Sequence, residues 1–191
     1  MRLLKKFTVA LIAFALLAMS LLMVGFSSSD EALAAVLRSR VTTVYLDSYD
    51  QVPFGNLAEN TVYVFPSETA PQGLTNESSS IDLLTPVITR GADMPTEVYN
   101  IFEEGRYYFA GSSSSVELYT NVRFTSKTNY TVYVNNMESH EQTVNCYRSQ
   151  YNSLFYTYSV PKNSGSITTV SSGATWFLGF PADCVVDGYV E

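Results

Sequence analysis

Apolar and polar residues alternate with a period of two along much of the second half of the chain. In NYTVYVNN (129–136), valines alternate with Thr131 and Tyr133. In WFLGF (176–180), Trp176, Leu178 and Phe180 alternate with Phe177 and Gly179. Successive side chains of a β-strand point to opposite faces of the sheet, so this pattern is typical of strands that bury one face. No segment after residue 34 has a long 3.6-residue pattern, so the chain is predicted to fold from strands.

Several further runs rich in β-branched and aromatic residues strengthen this prediction. They lie at 40–47, 60–65, 106–111, 115–124, 143–147 and 154–160, and clusters such as EEG, SKTN and PKNSG separate many of them. Strands with turns every 8–12 residues favour an all-β fold, namely a single antiparallel β-sandwich that is Ig-like or jelly-roll-like. The best helical candidate is PTEVYNIFEE at 95–104, where strand is nevertheless preferred.

The stretch NCYRSQYNSLFYTYSV (145–160) is predicted to form a hairpin. Cys146 should face inward, because it shares a face with Val144 and cysteine is usually buried. Tyr147 then faces outward. The predicted buried face of the second strand comprises Leu154, Tyr156, Tyr158 and Val160.

The N-terminus has the features of a secretory signal peptide. Three basic residues precede an uncharged apolar run at 7–26, and the triplet Ala32-Leu33-Ala34 is an A-x-A cleavage site. The run is as long as a membrane span, which needs about 20 residues. Residues 1–34 are therefore expected either to be cleaved after Ala34 or to remain as an anchor. In both cases the remaining chain lies outside the membrane.

The chain after residue 34 is predicted to be one domain. Residues 35–80 form N-terminal strands or an arm and a polar loop, and residues 81–191 form the core sandwich. This chain carries 8 basic and 16 acidic side chains, for a net charge of −8. An acidic surface argues against nucleic acid and anionic lipid as partners.

The two cysteines, Cys146 and Cys184, are predicted to form a disulfide, because an even count in an exported protein favours pairing. Two free thiols are the alternative. A metal site is not expected, since two cysteines and the lone His140 do not form a ligand set of known spacing. No cofactor motif is present, and no cofactor is predicted.

No catalytic constellation stands out, and no catalytic residue is predicted. His140 lies in a polar turn segment, and no nucleophile motif is present. Asp47 and Asp50 could ligate calcium, although calcium loops usually supply more carboxylates. Asp183 and Asp187 are expected to end a short strand. Two carboxylates far apart in sequence can meet in space, so a glycosidase stays open.

Three functions compete at this point. The favoured one is an exported, non-catalytic protein that binds or scaffolds a glycan, a cell-wall polymer or another protein, using Tyr133, Tyr147, Tyr151 and Phe177 as stacking residues. The second is a subunit of a surface assembly, with an arm at 35–66 that adds a strand to a neighbouring sheet. The third is a small secreted hydrolase with paired carboxylates.

Overall fold

The structure is a computed structural model that describes residues 32–70 and 93–191. Described residues from Leu37 onward belong to one compact unit. Residues 32–38 are helical. Among the described residues, no helix has both the length and the apolar character that a membrane span requires. Three parts of the predictions lie outside the described residues: the predicted leader apart from residues 32–34, residues 71–80 of the polar loop, and residues 81–92 of the core sandwich.

The described residues contain twelve strands, which are listed here in chain order: β1 (Thr42–Tyr45), β2 (Thr61–Pro66), β3 (Glu97–Asn100), β4 (Tyr107–Ser113), β5 (Leu118–Tyr119), β6 (Val122–Thr125), β7 (Asn129–Asn136), β8 (Gln142–Arg148), β9 (Ser153–Val160), β10 (Ser164–Ser171), β11 (Trp176–Phe180) and β12 (Cys184–Val190). Single 3-10 turns lie at Tyr49–Gln51 and Ser67–Thr69, and a short α-helix spans Ile101–Glu104. The prediction of a mostly β chain is therefore confirmed.

The strands form two sheets of six. Sheet A has the order β1-β2-β10-β7-β12-β4, and sheet B has the order β3-β6-β11-β8-β9, with β5 also paired to β11. The predicted purely antiparallel arrangement is wrong, because β1 pairs with β2 and β3 pairs with β6 in parallel. A parallel pair needs a long connection, and each of these pairs joins strands that are separated by more than ten residues.

One apolar cluster contains side chains from both sheets. The indole of Trp176, which is fully buried, contacts the rings of Phe124 and Tyr130 at centroid distances of 5.1 Å each. Phe109 of sheet A meets Phe180 of sheet B at 5.4 Å. This shared core explains the period-two pattern, since each strand directs alternate residues into it.

A second apolar cluster covers the outer face of sheet A. Tyr63, Phe65, Tyr133 and Tyr189 lie on that face, and Val52 packs against them from the segment that follows β1. The chain region predicted as an arm thus contributes two strands to sheet A and a cover to its outer face. The sequence pattern could not show this cover, because it is made by a loop without periodicity.

The predicted hairpin at 145–160 is confirmed, with one correction. Tyr156 and Tyr158 are buried in the common core. A bulge between Cys146 and Tyr147 shifts the pairing of β8 with β9. As a result Phe155 packs against the core, whereas Leu154 is only half-buried, and its prediction as a buried residue is wrong. A bulge inserts one extra residue and so exchanges the two faces beyond it.

Strands β10 and β12 differ from the sequence-based expectation because polar residues lie inside them. Strand β10 was not expected, and its buried Ser166 and Thr168 donate hydrogen bonds to backbone carbonyls. Asp187 was expected to end a strand but lies within β12. The candidate helix at 95–104 is divided between β3 and the short helix that follows it. Hydrogen bonds to the backbone of neighbouring strands satisfy Ser166 and Thr168, which hydropathy alone does not reveal.

The predicted disulfide is wrong. Cys146 and Cys184 are both buried free thiols. Cys146 lies in β8 of sheet B, whereas Cys184 begins β12 of sheet A. Both side chains belong to the apolar cluster that the two sheets share. Burial rather than pairing accounts for both cysteines, and it raises the pKa of the Cys146 thiol.

The free thiols give a direct test. In the native protein we expect a chromogenic thiol reagent to react slowly with both cysteines, because their side chains are buried. In denaturant both thiols should react without prior reduction. A reductant should leave the melting temperature unchanged. Detection of thiols only after reduction would establish a disulfide and contradict the structure.

Candidate functional site

A cleft of about 780 Å³ lies where the chain crosses between the two sheets. Its walls come from the β4–β5, β7–β8 and β11–β12 connections and from the first residues of β12. We name it the serine cleft after its most frequent residue. It is lined by Ser112, Ser113, Ser114, Ser115, Val116, Glu138, His140, Asp183, Cys184 and Val185. The lining therefore combines hydroxyls, carboxylates, one imidazole and one thiol.

A buried amide fixes the wall that carries Glu138 and His140. The Nδ2 atom of Asn136 lies 2.8 Å from the carbonyl oxygen of His140 and 3.1 Å from those of Val160 and Pro161. Its Oδ1 atom accepts a hydrogen bond from the Glu138 N–H at 3.0 Å. Asn136 is fully buried. These bonds hold the β7–β8 connection in one conformation.

The opposite wall is also held by local hydrogen bonds. Ser113 Oγ accepts from the N–H groups of Ser115 and Val116 at 3.4 and 3.2 Å. Asp183 has a left-handed backbone with φ 60°. Aspartate and asparagine tolerate this region better than most residues. The cleft is thus formed by turns whose residue types suit their backbone.

The electrostatic potential in the cleft is negative. Burial first raises the pKa of the Cys184 thiol, and the charges of Glu138, Asp183 and Glu117 raise it further, against the lowering effect of a backbone hydrogen bond from Ser113. A nucleophilic cysteine instead needs a lowered pKa. No lysine or arginine lines the part of the cleft that the described residues form. The cleft therefore suits a neutral or cationic ligand.

A group of aromatic and polar side chains lies on the outer face of sheet B. We name Glu117, Tyr119, Asn145, Tyr147 and Phe177 the tyrosine face. The hydroxyls of Tyr147 and Tyr119 each donate to the Glu117 carboxylate at 2.9 Å. The Tyr147 ring stacks on Phe177 at a centroid distance of 5.4 Å. Glu117 directly follows the cleft residue Val116 in the chain, so the two features adjoin.

Two details keep the tyrosine face in place. A Cβ atom at Gly179 would lie 2.7 Å from both Glu117 Oε1 and a Tyr147 ring carbon, so a larger residue would displace these side chains. Burial and the Glu117 carboxylate raise the pKa of Tyr119 to about 12 and also raise that of Tyr147. Both hydroxyls therefore remain protonated donors at physiological pH.

Two of the four predicted stacking residues, Tyr147 and Phe177, come together, whereas Tyr133 and Tyr151 lie elsewhere. Tyr147 belongs to the tyrosine face and is half-buried. Phe177 is fully buried beneath it, and Tyr133 is buried under the cover of sheet A, so both are wrong as exposed residues. Tyr151 is 76% exposed but lies in the β8–β9 turn, where its hydroxyl accepts a hydrogen bond from Gln150. Residues that point away from the common core, such as Phe177 and Tyr133, can still be covered by other side chains.

The cleft residues were largely missed by sequence reasoning. The sequence predicts His140 in a polar turn, Asp183 together with Asp187 at the ends of a short strand, and Cys184 in a disulfide. They come from connections that are far apart in sequence, and only the crossover of the chain between the sheets joins them. Within the described residues, no group of three or more metal-ligating side chains could hold a metal ion. Asp47 and Asp50, which could have ligated calcium, therefore belong to no such group.

Comparison of the chain with protein-family models, with curated proteins and with solved structures found no match.

A separate carboxylate lies on the outer face of sheet A. Burial raises the pKa of Asp187 to about 6, although a hydrogen bond from Asn135 opposes the effect. Its Oδ1 atom is buried and has no hydrogen-bond partner among the described residues. Ser67 donates to Asn135 Oδ1 at 2.6 Å, so the neighbouring amide is fixed. Asp187 is therefore poorly solvated when ionised.

The raised pKa of Asp187 predicts that the stability of the protein depends on pH. The pKa of Asp187 is raised from 3.8 to about 6 on folding. The protonated carboxyl therefore contributes stability that is fully present below about pH 4 and is lost as the pH rises through 6. The Asp187→Asn variant should remove this loss. Because part of the side chain faces solvent, we expect its gain at neutral pH to be about 1–2 kcal/mol.

Urea denaturation of both proteins between pH 4 and 8 measures the difference. The variant and the wild type should differ increasingly as the pH rises. An equal difference in unfolding free energy at all pH values would contradict the assignment.

Proposed function

We propose that the protein is an exported, non-catalytic β-sandwich that binds a glycan at the cell surface or outside the cell. The observation that carries the proposal is the tyrosine face beside the serine cleft. A sugar ring offers an apolar face for aromatic stacking and hydroxyls for hydrogen bonds. Half-buried tyrosines next to a carboxylate and a hydroxyl-rich cleft offer both interactions.

The sandwich arrangement is the finer part of the fold that we propose. The common core of Trp176, Phe124 and Phe180 with Phe109 supports it, because both sheets contribute to one cluster. Two stacked sheets place their connections at the two ends, where binding sites commonly form. The serine cleft is such a set of connections.

Binding is favoured over catalysis by the state of the cleft residues. A cysteine and a histidine share the cleft, which could suggest a thiol nucleophile. The raised pKa of Cys184 keeps this thiol protonated, however, and the His140 ring lies against a carboxylate, with its Nδ1 atom 4.0 Å from Glu138 Oε2. A thiol that stays protonated is a weak nucleophile.

The two alternative functions, a small secreted hydrolase and a surface-assembly subunit, have unequal support. Glu138 and Asp183 line the same cleft, which is the arrangement that a small secreted hydrolase would need. Release of reducing ends from a bound polysaccharide would establish that alternative. A surface-assembly subunit has less support, because β1 and β2 are already paired within sheet A.

Aromatic stacking gives the first test of glycan binding. The Tyr147→Ala variant should weaken binding roughly tenfold, because the loss of a stacked ring costs about 1 kcal/mol or slightly more. Tyr147→Phe keeps the ring and loses only the hydroxyl with its hydrogen bonds to Glu117 and from Asn145, so it is the matched control. Co-sedimentation with cellulose, chitin and peptidoglycan measures the affinity. Thermal melting confirms that both variants are folded.

Polymer binding by the wild type and by the two Tyr147 variants decides the proposal. Binding of at least one polymer that Tyr147→Ala weakens and Tyr147→Phe largely retains supports the proposal. Absence of binding to all three polymers, or equal binding by both variants, contradicts it.

Export gives the second test. We expect the protein to leave the cytoplasm, with mass spectrometry showing a chain that begins at Ala35 or a membrane-bound chain that keeps residues 1–34. Replacement of Leu16 and Leu17 by arginine should block export, because it charges the apolar run. Replacement of both by isoleucine is the matched control. A full-length wild-type chain found in the soluble cytoplasmic fraction would refute export.

A further inference from the structure

We infer that the serine cleft recognises the ammonium group of an amino sugar, so that the ligand is a glycan with free hexosamine units. This inference rests on the proposed glycan binding and specifies the ligand class. It starts from three properties of the cleft, which are its charge, its hydroxyls and its rigidity.

The charge of the lining favours a cation. Glu138 and Asp183 are the carboxylates of the cleft, and His140 is the single basic side chain among the described residues that line it. The His140 ring lies 4.0 Å from Glu138, so it competes for this carboxylate only when it is protonated. Asp183 remains available to a ligand cation. A bond between ammonium and carboxylate is charge-assisted and stronger than a neutral one.

The hydroxyls favour a sugar over a simple amine. Residues 112–115 are four successive serines, and all of them line the cleft. Each serine hydroxyl can donate and accept, which matches the hydroxyls of a sugar ring. Val116 is 40% exposed at the same wall and offers an apolar contact. A cleft of about 780 Å³ is large enough for more than one sugar unit.

The rigidity of the walls favours selective binding. The backbone N–H of Glu138 is bonded to the buried Asn136, and its carbonyl oxygen accepts from the Asn163 N–H at 3.3 Å. The carboxylate therefore extends from a fixed backbone. A preorganised site loses less entropy when it binds its ligand.

A double variant tests the inference without disturbing the fold. Glu138→Gln and Asp183→Asn remove both charges and keep the side-chain size. Asparagine accepts the left-handed backbone of position 183. The matched control is Glu97→Gln with Glu103→Gln, which removes the same charge from exposed positions on and after β3.

Isothermal titration with a glucosamine tetramer and with its N-acetylated form measures binding, in a buffer in which the amines are protonated. We expect the free amine form to bind about tenfold more tightly than the acetylated form. The double variant should lose this preference, and the control variant should keep it. A lysine-containing tetrapeptide provides a third probe.

Each contrary result has a distinct meaning. Equal binding of both tetramers, or an equal loss in the control variant, overturns the amino-sugar inference alone. Tighter binding of the lysine peptide overturns it in favour of a peptide ligand. If neither tetramer binds and no polymer is sedimented, the proposed glycan binding fails as well.

Discussion

The buried side-chain amide of Asn136 joins the two sheets at the end of the molecule where the chain crosses between them. Its backbone belongs to β7 of sheet A, and its side chain reaches the carbonyl oxygen of Val160, the last residue of β9 in sheet B. Burial of an amide costs free energy unless its hydrogen bonds are made. The Glu138 N–H and three carbonyl groups satisfy it here. The conformation of the β7–β8 connection, and hence of one cleft wall, depends on these bonds.

The period-two pattern predicted most of the strands because burial in the common core depends on alternate residues. It also predicted the inward direction of Tyr156 and Tyr158. The pattern could not predict the partners of the strands, and so it missed the two parallel pairs. The disulfide prediction failed for a related reason. The even cysteine count indicated pairing, but a count carries no information on which residues meet in space, and Cys146 and Cys184 are free thiols. Burial alone explains each of them.

The candidate site was the least predictable part. Residues 112–114 lie between two predicted strand runs, and His140 lies in a predicted polar turn. Their meeting with Asp183 depends on three connections that cross between the sheets at one end. The tyrosine face was partly predictable, because Tyr147 was expected to point outward. Its partner Glu117 lies 30 residues away in the chain, and no local pattern connects the two.

The central claim is that the cleft exists before any ligand binds, because Asn136 fixes its wall. Amide hydrogen exchange of the free protein, resolved by residue, tests this most directly. The N–H groups of Met137 and Glu138 bond to Val185 O and Asn136 Oδ1 at 3.0 Å each. Both N–H groups are expected to exchange as slowly as amides within β7 and β12. Exchange of both at the rate of an unprotected loop would contradict it.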